Sequence, residues 1–213
     1  MKPIVKVCGM KFPENIASVA KLHPQFMGFI FYPKSPRYAE PLAIETLNAI
    51  PTSIKKIGVF VNESLENILT IAYKYKLDGI QLHGRELSEM CLKLKSVGYI
   101  VIKAFPIAEA YNFKVTKEYE GSCNYFLFDT KTDAFGGSGV KFDWQVLEEY
   151  IGDTPFILSG GIAEDDVLDI QKIKHPKFVG VDLNSKFEVK PGLKNVESLR
   201  NFIHQLLTST LLK

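Results

Sequence analysis

The sequence predicts a closed (βα)₈ barrel from three observations. Eight short apolar, β-branched runs are spread along its length, amphipathic stretches separate them, and polar or glycine residues end most of the runs. At 213 residues the chain lies near the lower end of the usual size of such barrels. One domain over 1–213 is expected, because no linker, low-complexity tract or composition break divides the halves.

The runs are 4–7, 26–31, 56–61, 79–82, 99–104, 125–128, 155–158 and 178–181. Each is nearly continuous in apolar character, as a strand covered on both faces must be, whereas a strand with one wet face would alternate. A parallel sheet follows. Between the runs, apolar residues recur at helical spacing: Leu65, Ile68, Leu69 and Ala72, then Leu87, Met90, Cys91 and Leu94, then Val196, Leu199, Ile203 and Leu206. Each set predicts one buried helix face. Glu14 after Pro13, and Glu164, Asp165 and Asp166 after Gly161, mark helix starts, since acidic side chains suit the positive amino end. An open doubly wound sheet is the alternative architecture for this alternation.

Composition narrows the function classes. Hydrophobic residues at 46% and charged residues at 23% suit a globular protein with a substantial core. The net charge of +2 comes from dispersed lysines without a dense basic block, so nucleic acid is not an expected partner. The opening MKPIVKVCGM carries no apolar segment long enough for a signal peptide or a membrane span, which predicts no membrane association and a cytoplasmic location. Cys8, Cys91 and Cys123 show no C-x-x-C spacing, which argues against a disulfide framework and a zinc site. No H-x-H or carboxylate-rich ligand pattern occurs, so metal assistance is not expected.

In a parallel barrel the loops after the strands form the active face. The runs lead there into Cys8-Gly9, Ser35-Pro36-Arg37, His83-Gly84, Asp129, Ser159-Gly160-Gly161, and Asp182 followed by Asn184-Ser185. The last two turns follow strands seven and eight, where barrels hold phosphate through backbone N–H groups, so a small phosphorylated molecule is the expected ligand. Gly160-Gly161 alone would also serve an ordinary strand-to-helix turn. Cys8 could be a small core hydrophobe, but at a strand end before glycine it is placed to face the mouth. Cys91 completes a helix face, and nothing singles out Cys123. Asp129, Asp182 and His83 each also fit a structural role. A thiol facing a carboxyl suits acid–base isomerisation, provided the site draws their ordinary pKa values, about 8.5 and about 3.9, together.

Several segments, in this order and at these distances, resemble the phosphoribosylanthranilate isomerase family. They are Lys6-Val7-Cys8-Gly9, Gly28-Phe29-Ile30-Phe31 with Ser35-Pro36-Arg37, Gly58-Val59-Phe60-Val61 and Asp78-Gly79-Ile80-Gln81-Leu82-His83-Gly84. Further along come Phe128-Asp129, Gly136-Gly137-Ser138-Gly139, Phe142-Asp143-Trp144, Leu158-Ser159-Gly160-Gly161, and Gly180-Val181-Asp182 with Glu188 and Pro191-Gly192-Leu193-Lys194. The resemblance implies an Amadori rearrangement of a phosphoribosyl anthranilate in tryptophan biosynthesis, without cofactor or metal, by a monomer or homodimer. It implies Cys8 as general base and Asp129 as general acid, Arg37 against the anthranilate carboxylate, and Gly160, Gly161, Asn184 and Ser185 as a phosphate cradle. His83 and Asp182 are implied as further substrate contacts, and 135–139 as a flexible loop over the mouth. Lys186 stands where many family members carry glycine. The enzymatic rivals are the histidine-pathway sugar isomerase, which uses paired carboxylates, one of them at the end of strand one where this chain has Cys8, and a ribulose-phosphate epimerase, which needs metal-binding histidines. A catalytically inactive, ligand-binding barrel is the non-enzymatic rival.

Overall fold

The computed structural model describes residues 2–40, 42–108, 112–130 and 142–208. Eight parallel strands close into a barrel in chain order, β1 (Ile4–Val7), β2 (Phe26–Ile30), β3 (Lys55–Phe60), β4 (Gly79–Leu82), β5 (Ile100–Ile107), β6 (Tyr125–Thr130), β7 (Phe156–Leu158) and β8 (Phe178–Leu183). Closure comes from β1 pairing with β8, Lys6 opposite Asp182 and Val7 opposite Leu183. A short antiparallel hairpin, β9 (Glu188–Lys190) and β10 (Leu193–Lys194), follows the barrel. Three strands run past their expected ends. β5 continues through the apolar residues 105–107, while β6 takes in Asp129 and Thr130 and β8 takes in Asp182, because ladder hydrogen bonds are indifferent to side-chain polarity.

Strand side chains alternate between the helix-covered outside and the barrel interior. The lower interior is an apolar plug of Phe26, Ile57, Ile102, Ala104, Leu127 and Ile157. Two residues further along the same inward faces the character changes, so Lys6 follows Ile4, Gln81 follows Gly79, Asp129 follows Leu127 and Ser159 follows Ile157. Room for this polar layer is made by Gly28, where an added Cβ would lie 2.7 Å from Cys8 Sγ.

The outer layer holds α1 (Pro13–Ala20), α2 (Ile44–Asn48), α3 (Leu65–Tyr75), α4 (Ser88–Ser96), α5 (Val167–Lys172) and α6 (Val196–Thr208). Pro13 opens α1, where its missing N–H is harmless, and the Ser64 hydroxyl caps α3 by accepting the Asn67 N–H at 3.2 Å. The predicted faces hold with corrections. Leu87 precedes α4 and is 67% exposed, and Leu65 and Leu69 are only half-buried. Glu164–Asp166 forms a 3₁₀ turn ahead of α5, where the Asp166 carboxylate accepts the Ala163 N–H at 2.7 Å.

After β5 and β6 the covering elements are 3₁₀ helices, Phe113–Tyr119 and Trp144–Glu149. Their inward residues recur every third position, Phe113, Thr116 and Tyr119, then Trp144, Leu147 and Tyr150. That is the 3₁₀ period, which an amphipathic reading at 3.6 residues passes over. Among the described residues no helix is long and apolar enough to cross a membrane.

Candidate active site

At the carboxyl ends of the strands the described residues form one cleft. Cys8, Arg37, His83, Asp129, Gly160, Gly161, Asp182, Asn184 and Ser185 all line it. Sharing a cleft assigns no role to any of them, but it brings together residues that span most of the sequence.

On one wall, Cys8 is held by its N–H donating to the Leu183 carbonyl at 2.9 Å, and its side chain is buried. Beneath it lies Lys6, fully buried, with its ammonium 3.0 Å from both Asp182 oxygens and near enough to act on the charge of the thiol. Burial alone would lower the Lys6 pKa, and the facing Asp182 more than restores it, so Lys6 stays charged. For Cys8 burial pushes the thiol above its ordinary value, opposed by the Lys6 and Lys194 ammonium groups and reinforced by Asp182.

On the opposite wall, His83 Nε2 stands 3.2 Å from Asp129 Oδ2, and the Thr130 N–H donates to Asp129 Oδ1 at 2.9 Å. Behind the imidazole, the Gln81 side chain lies 2.8 Å from His83 Nδ1 through its amide nitrogen. An amide N–H there donates to Nδ1, which leaves Nε2 to face Asp129.

A third cluster flanks the phosphate-type turns. Arg37 donates through Nε and Nη2 to both oxygens of Glu188, at 3.0 and 2.7 Å, and Lys194 donates to Glu188 Oε1 at 2.7 Å. Lys194 also donates to Asn184 Oδ1 at 2.7 Å, tying the cluster to the turn after β8. Burial raises the Glu188 carboxyl, but the Arg37, Lys194 and Gly192 contacts outweigh it and hold its pKa below the ordinary value. Two cations on one carboxylate leave a net positive charge beside the cleft. Gly160 and Gly161 take φ of 91° and 66°, and no acceptor among the described residues takes the N–H of Gly160, Gly161 or Ser185. Such turns with free donors suit an anion.

The sequence profile described as N-(5'-phosphoribosyl)anthranilate (PRA) isomerase matches residues 5–205 of this chain. The chain belongs to the phosphoribosylanthranilate isomerase family. It is therefore an isomerase of the aldose–ketose class, acting in tryptophan biosynthesis. A family member from Parabacteroides distasonis is 50% identical over 206 residues, covering 96% of this chain and 93% of the relative. The crystal structure of the phosphoribosyl anthranilate isomerase from Thermus thermophilus superposes with a TM-score of 0.83 at 27% identity, over 97% of this chain and 99% of that one. Another phosphoribosyl anthranilate isomerase, 29% identical with a TM-score of 0.78 over 97% and 98% of the two chains, was crystallised with reduced 1-(o-carboxyphenylamino)-1-deoxyribulose 5-phosphate.

Within the phosphoribosylanthranilate isomerase frame, Lys186 causes no backbone strain. It is exposed in the 3₁₀ turn Ser185–Phe187 and is not among the described non-glycine residues with positive φ, so glycine's special freedom is not required there. Replacing Lys186 with glycine is expected to weaken inhibition by inorganic phosphate by no more than about threefold, an effect that shrinks as salt rises, because an exposed charge is screened. Titration of activity with phosphate at low and high ionic strength measures it. The 135–139 segment lies outside the described residues. Sequence reasoning passed over Lys6 and Gln81 as parts of apolar runs. Each sits two residues before Cys8 or His83 on the same inward face, and that period-two offset is the signal that finds them.

Proposed function

We propose that the cleft converts N-(5'-phosphoribosyl)anthranilate to 1-(o-carboxyphenylamino)-1-deoxyribulose 5-phosphate, with Cys8 as general base and Asp129 as general acid. The observation that carries this reading is a thiol and a carboxyl on opposite walls of one cleft, each with its own charged or hydrogen-bonding support. Asp129 protonates the furanose ring oxygen, the C1–O bond breaks, and the anilino nitrogen's lone pair forms the C=N bond of a Schiff base. Cys8 then removes the C2 proton, whose bonding electrons form the enolamine, and tautomerisation gives the ketone. Gly160, Gly161, Asn184 and Ser185 hold the phosphate, while His83 and Asp182 contact the sugar. The relative crystallised with the reduced product supports the assignment of ligand class.

Loss of the fluorescence of freshly generated phosphoribosylanthranilate, followed with the purified chain, tests the proposal. Turnover to completion is expected, and a rate equal to the uncatalysed background would overturn it.

Arg37 has only part of its guanidinium left for substrate, since Nε and Nη2 are committed to Glu188. Its substitution therefore removes the carboxylate contact and also leaves Glu188 with Lys194 as its remaining cation. Arg37→Ala is expected to raise KM by about tenfold or more, with a smaller effect on kcat, in line with the loss of a charge-assisted contact. Comparison on an analogue without the anthranilate carboxylate checks the role. Equal losses on both substrates would make Arg37 a structural clamp for Glu188.

A further inference from the structure

The Lys194 side chain is fully buried at the end of the β9–β10 hairpin. Its main chain is clamped to α1, the N–H donating to Asn15 Oδ1 at 2.8 Å and the carbonyl accepting from Asn15 Nδ2 at 2.9 Å. The side chain is therefore aimed from a fixed base. Its ammonium meets three acceptors, Glu188 Oε1 at 2.7 Å, Asn184 Oδ1 at 2.7 Å and the Asn184 carbonyl at 3.3 Å. An ammonium has three hydrogens to give, so none is left for a ligand. Lys194 acts on the cleft through what it holds.

Of the two residues Lys194 holds, Asn184 lines the cleft. Only the oxygen end of its amide can face the ammonium, because the nitrogen end would set donor against donor. With Oδ1 held, the amide plane is fixed, and Nδ2 donates to no acceptor among the described residues. Gly9 leaves room for this arrangement, since its φ is 76° and an added Cβ would lie 2.7 Å from Asn184 Oδ1. The Asn184 carbonyl also accepts the Phe187 N–H at 3.1 Å. Lys194 thus holds both the main chain and the side chain of the turn that carries the Ser185 N–H.

We infer that Lys194 is a positioning residue that turns the Asn184 amide so that Nδ2 donates to the substrate phosphate. This rests on the phosphate-holding role of the turn proposed above. An amide free to rotate would offer an anion its oxygen as readily as its nitrogen. A held amide offers nitrogen alone, so the ordering is complete before the ligand arrives. The Nδ2–H then joins the main-chain N–H groups of Gly160, Gly161 and Ser185, which find no acceptor among the described residues. Glu188 balances the buried ammonium that does this, so the turn is held without leaving an unpaired charge beneath it.

Side-chain amide ¹H–¹⁵N NMR of the full chain, titrated with inorganic phosphate, reads this contact without turnover, the Asn184 signals being identified by their loss in Asn184→Ala. Phosphate is expected to move those signals in the wild type. Phosphate affinity, followed by ³¹P NMR, should fall about tenfold in Asn184→Ala and about tenfold in Lys194→Met. The double variant should bind within about twofold of Asn184→Ala, because both changes remove the same contact. Equal losses from Lys194→Met with and without Asn184 would mean that the lysine acts by charge or by general support of the fold, which overturns the inference. If Lys194→Met does not fold, because Glu188 is left a cation short, the wild-type titration decides. Phosphate bound with the Asn184 signals unmoved overturns the positioning role alone. A wild type that binds no phosphate overturns the phosphate site on which the inference rests.

Discussion

Cys8→Ser is expected to lower kcat by about 10²- to 10⁴-fold, the range a positioned general base contributes, while leaving the thermal unfolding midpoint close to that of the parent chain. The size of the loss comes from acidity. A serine hydroxyl is essentially never ionised near neutral pH, whereas a thiolate beside Lys6 is reachable. Stability should survive because oxygen is smaller than sulfur and the Cys8 N–H bond to Leu183 is main-chain. Single-turnover kinetics with fluorescence detection, alongside thermal unfolding by circular dichroism, separates the two effects. Wild-type turnover in a folded Cys8→Ser variant would remove Cys8 from the mechanism.

The same wall fixes the direction of the pH dependence. Burial raises the Cys8 pKa, so the reactive thiolate is lost as pH falls through that raised value, and kcat/KM should climb with pH on the alkaline side of neutral. Neutralising Lys6 withdraws the nearest positive charge and moves that limb further up. A limb that stays put in Lys6→Met would mean that the ammonium serves Asp182 alone.

Much of the barrel could be read from the chain because its strands are covered on both faces and leave continuous apolar runs, such as 26–31 and 155–158. The covering helices after β5 and β6 could not, since their inward residues repeat every third position and carry no 3.6-residue signal. Cys8, His83 and Asp129 were visible because each breaks an apolar run at its carboxyl end. Lys6 and Gln81 were not, for they sit inside those runs and look like interruptions of a core until strand alternation puts them below the mouth. The Arg37–Glu188 pair joins positions 151 residues apart, and no local pattern in the sequence couples them. Only closure of β8 against β1 brings the hairpin that carries Glu188 and Lys194 beside the turn after β2.

Asp129→Asn should cost kcat about 10²- to 10⁴-fold with KM changed by no more than a few fold, because the amide keeps the shape of the carboxyl but has no acidic proton to give the ring oxygen. Local structure should hold. The Asn Oδ1 can still accept the Thr130 N–H, now made to Asp129 Oδ1 at 2.9 Å. The facing contact changes character, since an Asn Nδ2 opposite the His83 Nε2–H would set donor against donor, and the imidazole would shift its proton to Nδ1 or the amide would turn. Enlarging the side chain is a poorer test. The turn after β7 passes so close that a Cβ added at Gly160 would lie 2.9 Å from Asp129 Oδ1, so Asp129→Glu would displace the turn as well as the acid. The decisive comparison is kcat against the affinity of the reduced product analogue, which needs no ring opening. Turnover lost with affinity kept identifies Asp129 as the acid. Affinity lost with turnover kept would make it a binding group, and the proton for ring opening would then have to come from His83 directly.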